Sequence, residues 1–313
     1  MPRVRIGIII LPDLRWQQAA RRWRRAEEYG FARAWTYDHL GWRDLVDGPW
    51  FDAVPTLTAA AMVTSRIPLG TMVASPNFRH PVSFARQLTA LDDVSNGRLI
   101  LGVGAGAGGT SFDTTVLGGP PLTVRERADR FAEFTELLDL LLRTDRVTWR
   151  GDHYAAVDAR STPGCVQSPR VPFVVAANGP RTMKIAARFG QGWVTTGTKT
   201  DDLEQWWRSV TGAAERFTEV LDAAGRDPGS VDRYLSLDAA PVFSLSSAAY
   251  FADAVGRAGE AGFTDVSTHW PRPAGSYAGD ESVLEAVAAD VLPQWHDQLP
   301  DGGQQPPRSH RGQ

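Results

Sequence analysis

Residues 35–42, Trp-Thr-Tyr-Asp-His-Leu-Gly-Trp, end an apolar run on two titratable side chains and bracket them with indoles. Histidine is the side chain best suited to move a proton near neutral pH, and a carboxylate next to it can orient the ring. Asp38 and His39 are therefore the candidate catalytic pair. The competing reading is structural, with Asp38 capping the loop and His39 satisfied by a backbone carbonyl. Trp35 and Trp42 fit core or rim packing, and Trp42 also fits the wall of a pocket for a flat ring. His269-Trp270 ends the last apolar run in a similar way and joins Trp42 as a candidate substrate contact.

Two further stretches suit an anionic or planar ligand. Residues 102–109, Gly-Val-Gly-Ala-Gly-Ala-Gly-Gly, lack the Gly-Lys-Ser/Thr of a phosphate loop and follow the fourth strand rather than the first. Their small side chains, Gly106 and Ala107 among them, instead let a bulky group lie close to the backbone. Ala176-Ala177-Asn178-Gly179-Pro180 places Asn-Gly at a strand end and proline at the start of a helix, which aims free backbone N–H groups at an anion. An ordinary tight turn is the alternative. Ser75, Thr195 and Thr196 stand at other strand ends.

Several chemistries lack their residues. The six histidines form no His-x-His or His-x-x-x-His cluster, so no metal site is expected. Cys165 is the single cysteine, in a loop with no base beside it. There is no Gly-x-Ser-x-Gly elbow, and Lys184 and Lys199 are the only lysines available for a Schiff base.

These residues need elements to position them. Apolar runs at 4–10, 32–38, 67–75, 98–106, 171–179, 192–196, 233–243 and 263–270 read as buried strands. Between them lie helical patterns at 16–30, 52–65, 81–97, 123–143, 180–190, 201–224 and 247–262, with a last one at 281–296. Eight strands alternating with eight helices predict a (β/α)8 barrel of the α/β class, with a doubly wound sheet as the alternative. In such a barrel, chemistry gathers at the C-terminal ends of the strands.

The chain reads as one domain over 1–298, broken by a polar, Pro/Gly-punctuated insertion at about 144–170 that is expected to act as a lid. Residues 299–313 read as a disordered tail. With 313 residues, 42% hydrophobic and 22% charged, and a net charge of −3, the chain calls for neither nucleic acid nor a membrane surface. No leader or membrane span is read, so a cytoplasmic protein acting on a small molecule is expected.

The runs at 26–40, 67–106 and 171–196 together resemble the bacterial luciferase-like monooxygenase superfamily, and within it the branch that uses the deazaflavin coenzyme F420. The resemblance spans about residues 4–270 in order. It implies a barrel with an insertion over a flavin-like ring, hydride transfer at the deazaflavin, and Asp38-His39 as the acid-base pair beside the ring. It further implies a non-prolyl cis peptide at Met72-Val73 backing the ring, a phosphate segment at Ala176–Pro180, and neighbouring contacts from Thr195 and Thr196. A possible homodimer follows, since dimers are frequent in the superfamily. There are three departures: Ala107 stands where the sugar-phosphate dehydrogenases of that branch carry a glutamate, Trp42 falls one residue early, and Asn178 replaces a more usual glycine. The alternatives are an FMN-dependent monooxygenase and a non-catalytic flavin- or F420-binding protein.

Overall fold

The computed structural model describes residues 4–106 and 112–296. Ala107 and the 299–313 tail lie outside the described residues. In chain order the elements are β1 (Arg5–Ile9), α1 (Trp16–Glu28), β2 (Arg33–Thr36), α2 (Ala53–Val63), β3 (Leu69–Ala74), α3 (Pro81–Val94) and β4 (Leu99–Gly104). There follow α4 (Phe112–Thr115), α5 (Val124–Arg143), β5 (Arg146–Arg150), β6 (Ala155–Arg160), β7 (Phe173–Ala176), α6 (Pro180–Phe189) and β8 (Gly192–Thr195). The chain continues through α7 (Leu203–Ala223), β9 (Asp232–Ser236), α8 (Ala248–Glu260), β10 (Asp265–His269), α9 (Glu281–Ala286), a π turn (Val287–Val291) and α10 (Leu292–His296).

Eight strands close a parallel barrel in the order β1-β2-β3-β4-β7-β8-β9-β10, with β10 returning to β1. Each crossover helix packs its apolar stripe on the outside of the barrel. In α1, Ala19, Trp23 and Ala26 are buried while the arginines at 21 and 24 face solvent. The barrel interior is filled by a separate cluster around Ile9, Trp35, Met72, Val174, Val194 and Tyr234. Trp35 occupies most of its own layer, which is why neighbouring strands carry glycines there. A Cβ at Gly7 would sit 2.9 Å from Trp35 Nε1, and one at Gly70 2.5 Å from Trp35 Cζ3. Trp35 is thus core.

The 144–170 insertion is a β-hairpin, β5 paired antiparallel with β6. It packs against α5, where Glu133 accepts the backbone N–H groups of His153 and Tyr154, and Tyr154 meets Phe134 edge-on. None of its residues lines the cavity described below, so it is a buttress and not the expected lid. Its buried residues Val147, Tyr154 and Ala156 join the main apolar core, where Tyr154 meets the buried Phe134. The strand expected over 233–243 stops at Ser236, because Asp238 turns back to accept the N–H groups of Ser244 and His269. The expected helix at 281–296 is interrupted by the π turn. Among the described residues no helix is long and apolar enough to cross a membrane.

Candidate active site

The C-terminal ends of the strands open on a cavity of about 970 Å³, a volume suited to a sizeable organic ligand. Ile9, Met72, Val73, Ala105 and Val194 make its walls apolar. Among the described residues no carboxylate lines it, whereas Arg125, Arg127 and Arg181 do.

His39, three residues past β2, lines this cavity. Its Nδ1 lies 2.5 Å from Asp113 Oδ2, and the other oxygen of that carboxylate accepts the Leu40 N–H at 2.7 Å. Both His39 and the loop that carries it are therefore held by one buried carboxylate from α4, which leaves Nε2 for a ligand. Asp113 has no motif around it, and nothing in the sequence singles it out.

Asp38 does not orient His39, and it does not line the cavity. Its side chain is 1% exposed and bonds Arg79 twice, at 2.6 and 3.1 Å. Arg79 also reaches Asp52 at 2.8 Å, the residue whose carboxylate caps α2. Burial pushes the Asp38 carboxyl above its ordinary range, with Arg79 opposing. A buried carboxylate needs a counter-charge, and Arg79, on the loop between β3 and α3, supplies it. Asp38 is thereby turned away from the histidine beside it.

The Met72–Val73 peptide is cis. It lies at the register shift between Thr71 and Ala74 where β3 meets β4, and both side chains line the cavity, as does Ser75. Gly106 lines it too, with φ +76° and Asn77 so close that a Cβ would overlap it.

Next to it, at the end of β7, which pairs with β4, Ala176, Ala177, Asn178, Gly179 and Pro180 all line the cavity. Gly179 caps α6 without any side-chain hydrogen bond, so the first N–H groups of that helix point outward unsatisfied. The contrast is α5, whose N-terminus is closed by its own capping box of Thr123 and Glu126. Asn178 accepts from Thr195 Oγ1 at 2.6 Å and donates to Thr196 Oγ1 at 3.0 Å. Thr196 lines the cavity, while Thr195 is buried behind Asn178 and supports it. Arg127 donates to the Gly106 carbonyl at 2.7 Å. It is a residue the motifs passed over, although the Thr-x-x-Glu signature at 123–126 places a helix start just before it.

The three expected substrate contacts lie elsewhere. Trp42 stacks on Tyr277 (5.7 Å between ring centroids) and meets Tyr37 edge-on, away from the lining. His269 is 1% exposed, behind Tyr37 and under Tyr277. Trp270 points to the outer layer and stacks on Tyr29, because successive strand residues face opposite sides. Tyr37, which no motif marked, does line the cavity and meets His39 edge-on at 5.7 Å.

The chain is 36% identical over 233 residues to an F420-dependent glucose-6-phosphate dehydrogenase of Kineococcus radiotolerans, covering 72% of this chain and 66% of that one. It is 30% identical over 245 residues to a 5,10-methylenetetrahydromethanopterin reductase of Methanopyrus kandleri, covering 74% and 64%. The chain thus spans about two thirds of the length of these relatives. Among solved structures, an F420-dependent secondary alcohol dehydrogenase shares the fold with a TM-score of 0.76 at 19% identity, covering 96% of this chain and all of that one. The family model described as luciferase-like monooxygenase matches residues 4–269, nearly the whole barrel, and the chain belongs to that family.

Proposed function

We propose that this protein is an oxidoreductase that passes a hydride between coenzyme F420 and a small organic substrate. The observation that carries the reading is the polarity of one cavity. One cavity is lined both by a histidine held by a buried carboxylate and by an uncapped helix N-terminus with Arg127 beside it, next to Arg125 and Arg181, which share Asp129. Its walls are apolar, as a flat ring with an anionic arm requires.

The relatives named above support F420 over FMN as the coenzyme. The residues present fit it: α6 and the arginines would take its phosphate, and the Met72–Val73 segment, Gly106 and Ala176 would lie along the ring. Bound deazaflavin supplies a carbon that accepts or returns a hydride. The protein's share is to exclude water with its apolar walls and to take or give the accompanying proton at His39 Nε2. Asp113 fixes the ring orientation for that transfer. The reading extends to a cytoplasmic protein, where a coenzyme-dependent oxidoreductase meets its small-molecule substrates. It extends also to a homodimer, which the family resemblance implies.

Titration with F420 and with FMN, followed by tryptophan fluorescence, tests the coenzyme. Saturable quenching by F420 without a response to FMN is the expected result. Preference for FMN moves the protein to oxygen chemistry, and silence from both overturns the site. His39→Ala is expected to keep F420 binding and lose turnover.

A further inference from the structure

We propose that Trp50 is a positioning residue of this site: it fixes the orientation of His39 by holding the peptide unit from which the histidine projects. The proposal rests on the reading above, in which His39 moves the proton that accompanies the hydride.

The peptide unit joining His39 to Leu40 is gripped at both ends. Its carbonyl accepts the indole N–H of Trp50 at 2.8 Å, and its N–H donates to Asp113 Oδ1 at 2.7 Å. The other oxygen of that carboxylate lies 2.5 Å from His39 Nδ1. An indole nitrogen can only donate and a carbonyl can only accept, so the Trp50 bond has one direction whatever the protonation of its neighbours. The peptide unit is planar and trans, and its C=O and N–H point in opposite directions. Trp50 and Asp113 therefore hold the same plane from opposite sides.

Asp113 binds the peptide N–H and the ring through one carboxylate, so these groups can rock together as a unit. The Trp50 bond ties that unit to another part of the fold. Its indole packs against the interior cluster that contains Trp35 and Leu45. The next two residues are anchored as well: the Phe51 N–H donates to the Pro12 carbonyl at 2.9 Å, and Asp52 caps α2 through the Val54 N–H. Asp52 also takes Arg79, the guanidinium that holds Asp38. Residues 50–52 thus brace both members of the adjacent pair, His39 directly and Asp38 through Arg79. Gly41 admits the Phe112 ring, since a Cβ there would sit 2.7 Å from Phe112 Cδ1, and this seats α4 against the loop.

His39 lines the cavity and Trp50 does not. Any effect of Trp50 on a bound molecule must therefore pass through the histidine. With Nδ1 held by Asp113, a tilt of the peptide plane shifts Nε2 relative to the reacting atoms. Misplacing a group by about 1 Å can cost on the order of 100-fold in rate. Coenzyme affinity is set by the rest of the cavity, so the loss falls on turnover and spares binding.

The test uses the full chain. Trp50→Phe keeps an aromatic ring and removes the N–H. With the best substrate of an F420-reduction screen, its kcat is expected to fall about tenfold, while KM and the Kd for F420 stay within about twofold. Nitrogen-15 relaxation of the histidine rings, measured on the free protein, should show His39 rigid in the wild type and in microsecond-to-millisecond exchange in the variant. Trp50→Phe combined with Asp113→Asn should lose less than the product of the two single losses, since both act on one peptide unit. In the wild type the Trp50 indole N–H should exchange slowly with deuterium, a readout that needs no variant to fold. Unchanged kcat, a His39 ring as rigid in the variant as in the wild type, fully multiplicative losses or a fast-exchanging indole N–H overturns the proposal. Failure of the wild type to bind F420 overturns the coenzyme reading instead, and the measurements on the free protein still decide the role of Trp50.

Discussion

Replacing Arg79 by methionine tests whether Asp38 serves the fold rather than the reaction. Arg79 is 8% and Asp38 1% exposed at the side chain, and the two share a bidentate pair. Methionine keeps an apolar stem over Phe78 and Phe84, which the guanidinium now covers, but strands a buried carboxylate. Removing one partner of a buried pair costs about 3–5 kcal/mol, and losing the half-exposed Asp52 arm adds ~0–1 kcal/mol. Against a total stability of about 5–15 kcal/mol, that is a large deficit. Adding Asp38→Asn removes the stranded charge and should recover part of the loss, a coupling of about 1–3 kcal/mol.

The pH dependence has a definite sign. Burial already raises Asp38 above its ordinary 3.8 with Arg79 opposing, and the variant removes that opposition, leaving the lesser pull of His39. A carboxyl with a raised folded pKa gives stability that is present below the unfolded value and lost as pH rises through the folded one. The deficit of Arg79→Met should therefore narrow as pH is lowered from about 7 to about 5. Urea unfolding followed by tryptophan fluorescence at both pH values measures it. A deficit below about 1 kcal/mol, one that ignores pH, or one that Asp38→Asn leaves untouched would refute the reasoning.

Two other outcomes follow from the same geometry. Asp113→Asn removes the charge from the hydrogen bond to His39, worth about 1.5–3 kcal/mol. Turnover should fall about 10- to 100-fold while F420 affinity stays nearly constant, and an unchanged kcat would remove Asp113 from the proton path. Glu27 accepts the N–H groups of Ser65, Arg66 and Ile67. Burial acts against its ionisation, but those backbone bonds, led by Ile67, hold its carboxyl below the ordinary 4.5. The stability it gives is present above that value and lost as pH falls through the folded one. Glu27→Gln should cost about 1–3 kcal/mol at neutral pH and less at about pH 3, read from thermal melts.

The alternation of β-branched runs with amphipathic helices determined the barrel. A strand covered on both faces must be apolar throughout, and a crossover helix must be apolar on one side. The same logic located the strand ends, so His39, the 176–180 segment and the small residues after β4 could be read from the chain alone. Local patterns also identified Pro180 as the first residue of its helix.

Partnership was the part that only the tertiary structure decided. His39 and Asp113 are 74 positions apart, Asp38 and Arg79 41, and Tyr37 and His269 232. Asp38 stands next to His39 in sequence yet faces a different element. Trp270 adjoins His269 yet faces the opposite side of the sheet. Hydrogen bonds depend on direction and distance in space, and barrel closure, which sets β10 beside β1, creates neighbours that no local pattern encodes.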